Sequence, residues 1–311
     1  MNRRKLLQTS AAFGLVSAVT SLEGFTLLAK AGAAKTAADT DSTPEAPRTN
    51  ALVPPAHGAI NVAFPISEGA VIIDFCGPWE VFQDAAPLGG AAGFQLYTVA
   101  ETLQPITASG GMKIVPQYTF ESAPSPKVIV IPAQQSNDAM LQWIRKSTRT
   151  TDLTMSVCTG AFVLAATGLL SGKSATTFHA AYADFAAQFP DIHLKRGARF
   201  VEDGNLASAG GLSSGIDLAF RVIERYYGRE AAERTAYNIE YQGKGWMNAG
   251  SNEIYAKPST TSAHGQPLCP VCGMDADRTI SSVYKGTTYY FCMQPHKHLF
   301  DTTPEKFANP S

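Results

Sequence analysis

The sequence has little charge and almost no excess of either sign. Charged residues make up 16% of the 311 residues, and the formal net charge at pH 7 is -1. Proteins that coat nucleic acid or anionic lipid need a basic face, so we expect no nucleic-acid partner. Because 45% of the residues are apolar, most of the chain can bury a core, unlike an intrinsically disordered protein.

Cysteine and long apolar runs are also scarce. Five cysteines are an odd number and too few for a disulfide framework, and three of them fall within the last 43 residues. The apolar run at residues 11–28 is interrupted by Glu23 and Gly24, so we expect no stable membrane span. The chain is therefore expected to be globular, and the cluster of three cysteines near its end is expected to be a local chemical feature.

The first 33 residues have the order of an export signal. Arg3, Arg4 and Lys5 precede a moderately apolar region, which small residues follow up to residue 33. This order predicts a cleaved signal peptide at residues 1–33, with a retained amphipathic anchor as the alternative. The paired arginines resemble a twin-arginine signal, so we expect a periplasmic protein. That pathway carries folded cargo, which hints at a metal bound before export.

Two polar segments divide the rest of the chain. Residues 34–57 are rich in Ala, Thr, Asp, Ser and Pro, a composition typical of a flexible linker. A second polar segment, residues 248–266, is expected to be a linker with few contacts. Between and after them lie a large domain at residues 58–247 and a small one at residues 267–311.

Apolar runs of strand length alternate with helix-length segments in the large domain. Four of these runs are residues 60–64, 94–100, 128–132 and 153–157. These mostly apolar runs indicate strands of a parallel sheet that helices cover on both faces. The sequence therefore predicts an α/β three-layer sandwich.

The last of these runs leads directly into Cys158, Thr159 and Gly160, and a helix of small residues follows at once. This pattern predicts a nucleophile elbow, a tight strand-to-helix turn at the carboxyl edge of the sheet. The helix end and nearby amides are expected to lower the thiol pKa of Cys158 below its usual value of about 8.5. The alternative is a buried cysteine that only packs.

Four ordered motifs carry a family resemblance across residues 58–247. They are IDFCGPWEVF at 73–82, VCTG at 157–160, ATTFH at 175–179 and AGGLSSGIDL at 209–218. With them the segment resembles the ThiJ/PfpI superfamily, which has a flavodoxin-like, class I glutamine amidotransferase-like fold. The most similar branch contains isonitrile hydratases and the sensor domains of AraC-type regulators. A regulator is disfavoured because 64 residues follow residue 247, whereas a helix-turn-helix domain of that type needs roughly 100.

The resemblance implies a catalytic set of Cys158, Asp74, Thr159 and His179. Cys158 would be the nucleophile that attacks an isonitrile carbon, and Asp74 the carboxyl that approaches the sulfur and carries protons; no cofactor is implied in this domain. From the residues alone, Asp74 could instead be a helix N-cap. Many relatives carry a histidine where this chain has Phe178, and His179 follows one position later. Thr159 after the cysteine disfavours a Cys–His peptidase.

The last 45 residues contain a candidate metal site. Cys269 and Cys272 form a Cys-x-x-Cys knuckle, Gly286 marks a hairpin turn, and Cys292 and His296 follow the second strand. Three cysteines and one histidine at this spacing predict a tetrahedral site for one Cu(I) or Zn(II). The alternative is a disulfide between two of the cysteines, because the predicted destination is oxidising.

The same segment resembles the YHS domain and the related NosL and TRASH-type copper-handling sequences. The resemblance rests on CPVCGM at 269–274, YKGTTYYFC at 284–292 and PEKF at 304–307. His296 stands where many relatives have a second cysteine. Met274 and Met293 could add thioether donors if the ion is copper.

Two functions follow as hypotheses. The first is a cysteine-dependent hydratase or hydrolase, similar to isonitrile hydratase, that acts on a small electrophilic substrate and carries a metal-binding module. The second is a non-enzymatic copper- or zinc-handling or sensing protein, whose large domain binds a ligand or partner. Expected partners are a small-molecule substrate, a metal donor or acceptor protein, and a second copy in a homodimer.

Overall fold

The computed structural model describes residues 50–85, 87, 93–257, 260 and 265–308. The predicted signal peptide and nearly all of the first linker lie outside these residues. Among the helices that are described, none combines the length and apolar character needed to cross a membrane.

A seven-stranded sheet forms the centre of the large domain. The strands of this domain are β1 Ile60–Pro65, β2 Phe94–Ala100, β3 Ile106–Thr107, β4 Lys113–Ile114, β5 Tyr118–Thr119, β6 Val128–Ile131, β7 Leu153–Val157, β8 Ser174–Ala175, β9 His193–Leu194, β10 Phe200–Asp203 and β11 Leu206–Ala209. The sheet has the order β10-β11-β7-β6-β1-β2-β5, and its neighbours are parallel except β10 with β11. The four predicted strands are β1, β2, β6 and β7, so the parallel sheet is confirmed.

Helices cover both faces of this sheet. They are α1 Ile72–Gln83, α2 Asp138–Ser147, α3 Gly160–Ala166, α4 Tyr182–Gln188, α5 Ser214–Tyr227 and α6 Arg229–Asn238. Val62 and Phe64 of β1 pack with α1, α5 and α6, whereas the intervening Ala63 packs with α2, α3 and α4. Because successive side chains of a strand point to opposite faces, this alternation makes two apolar layers. The three-layer α/β prediction is confirmed.

The segment after residue 247 differs from the sequence expectation. Asn252 is buried, and its side-chain oxygen accepts a hydrogen bond of 3.2 Å from Arg199. A Cβ added to Gly197 would lie 2.9 Å from the Cβ of Ala256. The expectation of few contacts is wrong for this part of the linker, because the Asn252 side chain pairs with Arg199 of the large domain. The domain boundaries themselves stay predictions.

The C-terminal module contains a hairpin and one helix. Its elements are β12 Asp277–Tyr284, β13 Thr287–Phe291 and α7 Gln294–Thr302. Lys285 and Gly286 join the strands with φ angles of 50° and 80°, as a two-residue type I′ turn requires. The predicted turn at Gly286 is confirmed, and α7 carries His296 on its first turn.

Candidate functional site

The backbone at Cys158 has the geometry of a nucleophile elbow. β7 ends at Val157, α3 begins at Gly160, and Cys158 between them has a left-handed φ of 57°. This conformation is unfavourable for a residue with a side chain, at a cost of roughly 1–3 kcal/mol. Two hydrogen bonds of 2.9 Å hold it: the Cys158 N–H donates to the carbonyl of Gly210, and the Thr177 hydroxyl donates to the Cys158 carbonyl.

A close contact between α3 and β6 fixes the elbow against the sheet. A Cβ on Gly160 would lie 2.3 Å from the carbonyl oxygen of Ile131 and 2.8 Å from the backbone of Pro132. Only glycine allows this approach of helix and strand. The turn therefore presents Cys158 at the carboxyl edge of the sheet, where α/β proteins bind ligands.

Burial dominates the chemistry of the Cys158 thiol. Its side chain is 6% exposed, and this burial, together with the charge of Asp74, raises its pKa to about 11. Hydrogen bonds from the amides of Leu212 and Thr159, and from the Thr159 hydroxyl, favour the thiolate but only partly offset the effect of burial. The expectation of a lowered pKa is wrong, because desolvation outweighs the amides that point at the sulfur.

Asp74 lies in the first turn of α1 and is completely buried. Its Oδ2 accepts a hydrogen bond of 3.0 Å from the Ala133 N–H. Burial raises the pKa of Asp74 to about 7, although the Ala133 bond and a weaker interaction with the Cys158 thiol lower it. Oδ1 has no directed hydrogen bond within the described residues. The N-cap of α1 is Val71, so the N-cap alternative for Asp74 is wrong.

Within the part of the chain that the structure describes, the His179 side chain makes no hydrogen bond to Cys158 or Asp74, and its ring contacts are aromatic. Its ring stacks on Tyr255, with centroids 4.8 Å apart, and meets Phe178 edge-on at 4.5 Å. Burial lowers the pKa of His179, which favours the neutral ring. The Phe178 ring lies against Gly211, where an added Cβ would be 2.5 Å from it. In this arrangement Phe178 packs near the elbow, and a catalytic role for His179 stays a prediction.

The four predicted metal ligands meet in one place. Donor atoms of Cys269, Cys272, Cys292 and His296 all lie within 4.8 Å of one another. His296 Nδ1 is 3.2 Å from the Cys292 sulfur and 3.6 Å from that of Cys269, and the sulfurs of Cys272 and Cys292 are 3.5 Å apart. Tetrahedral Zn–S bonds of about 2.3 Å require sulfurs about 3.8 Å apart, so the donors fit one ion.

The chemistry of the donors agrees with this fit. All five cysteines are free thiols in the described part of the chain, so the disulfide alternative finds no support there. Hydrogen bonds from Cys272 and His296 lower the pKa of the Cys269 thiol, whereas the hydrogen bond to Cys269 raises the pKa of Cys272 and burial raises that of Cys292. A metal that binds these sulfurs would displace their remaining protons. These residues would hold Cu(I) or Zn(II), and the ion would stabilise the small fold.

Three groups at these sites were missed by sequence reasoning. The backbone amide of Ala133 donates a hydrogen bond to Asp74, and that of Leu212 donates one to Cys158. Backbone groups carry no sequence signal of their own. Asp184 of α4 has its carboxylate oxygens 3.2 and 3.3 Å from His296 Nε2. No local pattern links two residues 112 positions apart.

Two family models match the chain. The DJ-1/PfpI family model matches residues 60–225, more than half of the chain, and the YHS domain model matches residues 269–311. These ranges contain the elbow and the metal cluster respectively.

Two curated relatives match part of the chain. Isonitrile hydratase of Pseudomonas putida is 33% identical over 199 residues, which are 62% of this chain and 83% of that protein. The HTH-type transcriptional regulator CdhR of Pseudomonas aeruginosa is 29% identical over 133 residues, which are 41% of this chain and 39% of the regulator.

Solved structures show the same fold. A ThiJ/PfpI family protein from Pseudomonas syringae, 28% identical, superposes with a TM-score of 0.54 over 62% of this chain and 80% of its own. Drosophila melanogaster DJ-1beta, 18% identical, superposes with a TM-score of 0.52 over 60% of this chain and 100% of its own. This chain belongs to the DJ-1/PfpI family and carries a C-terminal YHS domain.

Proposed function

We propose that the large domain is a cysteine-dependent hydratase that converts a small isonitrile to an N-substituted formamide. The observation that carries the proposal is the pairing of Cys158 on a strained elbow with a buried Asp74 whose pKa is about 7. A carboxyl with this pKa can both accept and donate a proton near neutral pH. The 33% identity to isonitrile hydratase supports the substrate class.

In the first step, the sulfur of Cys158 forms a bond to the terminal carbon of the isonitrile. The thiol proton passes to the Asp74 carboxylate and from there to the same carbon, which gives a thioimidate. The amides of Leu212 and Thr159, which point at the sulfur, stabilise the thiolate as it forms. General-base help from Asp74 is needed because the thiol pKa of about 11 leaves little free thiolate at pH 7.

In the second step, water adds to the thioimidate carbon. Asp74 takes a proton from this water and passes it to the imine nitrogen, which leaves a hydroxyl on the carbon. As the C–S bond breaks and the carbonyl forms, the hydroxyl proton passes by way of Asp74 to the sulfur. The product is the formamide, and the thiol of Cys158 is restored. The balance is one isonitrile and one water per formamide, with no oxidant or reductant.

The test is conversion of an alkyl isonitrile by the purified full chain, followed as formamide by NMR. We expect formamide from the wild type, none from Cys158→Ala and strongly reduced turnover from Asp74→Asn. Cys76→Ala is the matched control: Cys76 is a half-buried thiol two residues from Asp74, and its removal should leave turnover unchanged. Absence of formamide from the wild type, or its formation by Cys158→Ala, contradicts the proposal.

A second candidate function is the handling or sensing of copper or zinc. The converging donors of the YHS domain favour it, since Cys and His ligands select these ions. The ion would come from, or pass to, a partner protein, and the large domain would bind a ligand rather than convert it. Stoichiometric metal together with no turnover of any isonitrile would favour this function over the first.

The proposed location is the periplasm, by twin-arginine export. It is supported by the order of Arg3, Arg4 and the apolar region within residues 1–33. A homodimer is also part of the proposal.

A further inference from the structure

Residues 177–184 lie between the two candidate sites and contact both. At one end, the Thr177 hydroxyl donates a hydrogen bond of 2.9 Å to the carbonyl of Cys158. At the other end, the Asp184 carboxylate lies 3.2 Å from His296 Nε2. A single short segment of the large domain therefore joins the elbow to the metal cluster.

The Asp184 contact is suited to orient a metal ligand. His296 turns Nδ1 towards the sulfurs of Cys269 and Cys292, which leaves Nε2 to face Asp184. When a metal occupies Nδ1, the proton is on Nε2 and donates to the carboxylate. Such an outer carboxylate fixes the tautomer and ring position of a histidine ligand. Here it is supplied by the large domain, so the metal site is complete only when the module is docked.

The apolar contacts around this segment connect the same two places. Ala180 and Ala183 are buried in one cluster with Val271, Phe291 and Phe300 of the C-terminal module.

Phe178 packs against this cluster and also against the core cluster that contains Cys158. Its ring lies on Gly211, next to Leu212, whose amide points at the Cys158 sulfur. The module thus packs against the same Phe178 ring that lies on Gly211, one residue before Leu212.

We propose that metal binding in the C-terminal module controls the accessibility of Cys158 through residues 177–184, with Asp184 as the positioning residue. The bound ion orders the module. The Asp184–His296 contact then holds the module against α4, and Phe178 stays packed on Gly211. Because linkage is reciprocal, docking also tightens metal binding. The proposal rests on the proposed function only in taking Cys158 as the residue whose reactivity matters.

The test measures the alkylation rate of Cys158 in the full chain by iodoacetamide, resolved by peptide mass spectrometry. We expect the Zn(II)-loaded wild type to react at least about fivefold more slowly than the protein freed of zinc by a chelator, the lower end of ordinary allosteric coupling. Asp184→Ala should bind Zn(II) about tenfold more weakly and lose the rate difference. Asp184→Glu, which keeps the carboxylate, should recover part of the zinc affinity and part of the difference in alkylation rate.

Glu233→Ala is the matched control, since it removes an exposed carboxylate on α6 and should change neither quantity. Equal alkylation rates with and without zinc in the wild type overturn the coupling, and unchanged zinc affinity in Asp184→Ala overturns the role of Asp184. Asp184 is half-exposed, so its variants should fold, which circular dichroism checks. Failure of isonitrile conversion together with zinc-dependent alkylation would reject the proposed function alone.

Discussion

Asp74 and Cys158 form a pair of buried groups whose charged forms are both disfavoured by burial. Burial raises the pKa of both, and the negative charge of Asp74 raises that of the thiol further. At neutral pH the pair therefore favours a thiol and a carboxyl that is near half-protonation. In the proposed reaction, this arrangement would keep Cys158 uncharged until a substrate binds and would let Asp74 accept the thiol proton.

The raised pKa of Asp74 predicts a pH dependence of stability. An unfolded Asp titrates near 3.8, so the folded state binds more protons than the unfolded state between pH 4 and 7. Stability is therefore lost as pH rises through this window, by about 4 kcal/mol for the full shift. Asp74→Asn should remove that loss and, above pH 7, be more stable relative to the wild type than it is at pH 4.

Urea unfolding of both proteins at pH 4, 5.5 and 8 measures this effect, because the difference between them cancels all other titrating groups. A parallel pH dependence in wild type and Asp74→Asn would show that the carboxyl is not destabilised by burial in the folded protein.

Residue identities at the site could be predicted from the sequence, but their protonation could not. Cys158, Asp74 and Thr159 stand in ordered motifs, and the structure brings all three together. The direction of the Cys158 pKa depends on how much solvent reaches the sulfur, which side chains distant in sequence decide. The amides at the start of the helix by themselves would lower the pKa of Cys158, but burial raises it by more.

At the scale of elements, the elbow depends on how closely α3 approaches β6. Gly160→Ala would place a Cβ against the backbone of Ile131, where no side-chain rotation relieves the clash. We expect the unfolding free energy to fall by about 1–3 kcal/mol. We also expect a large loss of the proposed isonitrile turnover, because the elbow that holds Cys158 shifts.

Gly93→Ala is the control for this substitution, since a Cβ there meets nothing within 4 Å. Its unfolding free energy should change by no more than about 0.5 kcal/mol in chemical denaturation. Equal stability of the two alanine variants would mean that α3 can move away from the sheet at no cost.

Turn and strand positions were readily predicted because their signals are local. Mostly apolar runs identified four central strands, and Gly286, placed just before the strand that leads to Cys292, identified the β12–β13 turn. The behaviour of residues 248–256 was not predicted. Its polar composition is typical of a linker, yet Asn252 accepts a hydrogen bond from Arg199, which is 53 positions away.

At the scale of the whole molecule, we expect a metal ion held by Cys269, Cys272, Cys292 and His296 to stabilise the small C-terminal module. We expect one Zn(II) or Cu(I) per chain, with Cys272→Ser and His296→Ala each losing stoichiometric metal in elemental analysis. The loss should expose the module to proteolysis while residues 60–247 stay folded around their own core. The small module has few apolar residues to replace the ion.

His298→Ala is the control for the ligand variants, because His298 lies on α7 two residues beyond His296 but is exposed. It should keep its metal. Full metal content in both ligand variants, or a native protein with oxidised Cys269, Cys272 and Cys292, would favour a disulfide or an ion bound elsewhere.

The proposed twin-arginine signal predicts the effect of substituting its paired arginines. Replacing Arg3 and Arg4 together with Lys keeps the charge but removes the guanidinium groups that the pathway recognises. Periplasmic accumulation should stop, as judged by cell fractionation, while Arg48→Lys outside the signal should be exported normally. Undiminished export of the double variant would contradict twin-arginine transport.

The sequence by itself determined the parallel α/β fold, the position of the elbow and the identity of the candidate metal ligands. These depend on periodicity and short spacings, which local interactions enforce. Only the tertiary structure decided the burial of Asp74 and Cys158, the packing of residues 248–256 and the contact of Asp184 with His296. Each of these joins residues that are far apart in the chain, and the fold brings them together by packing that no local pattern encodes.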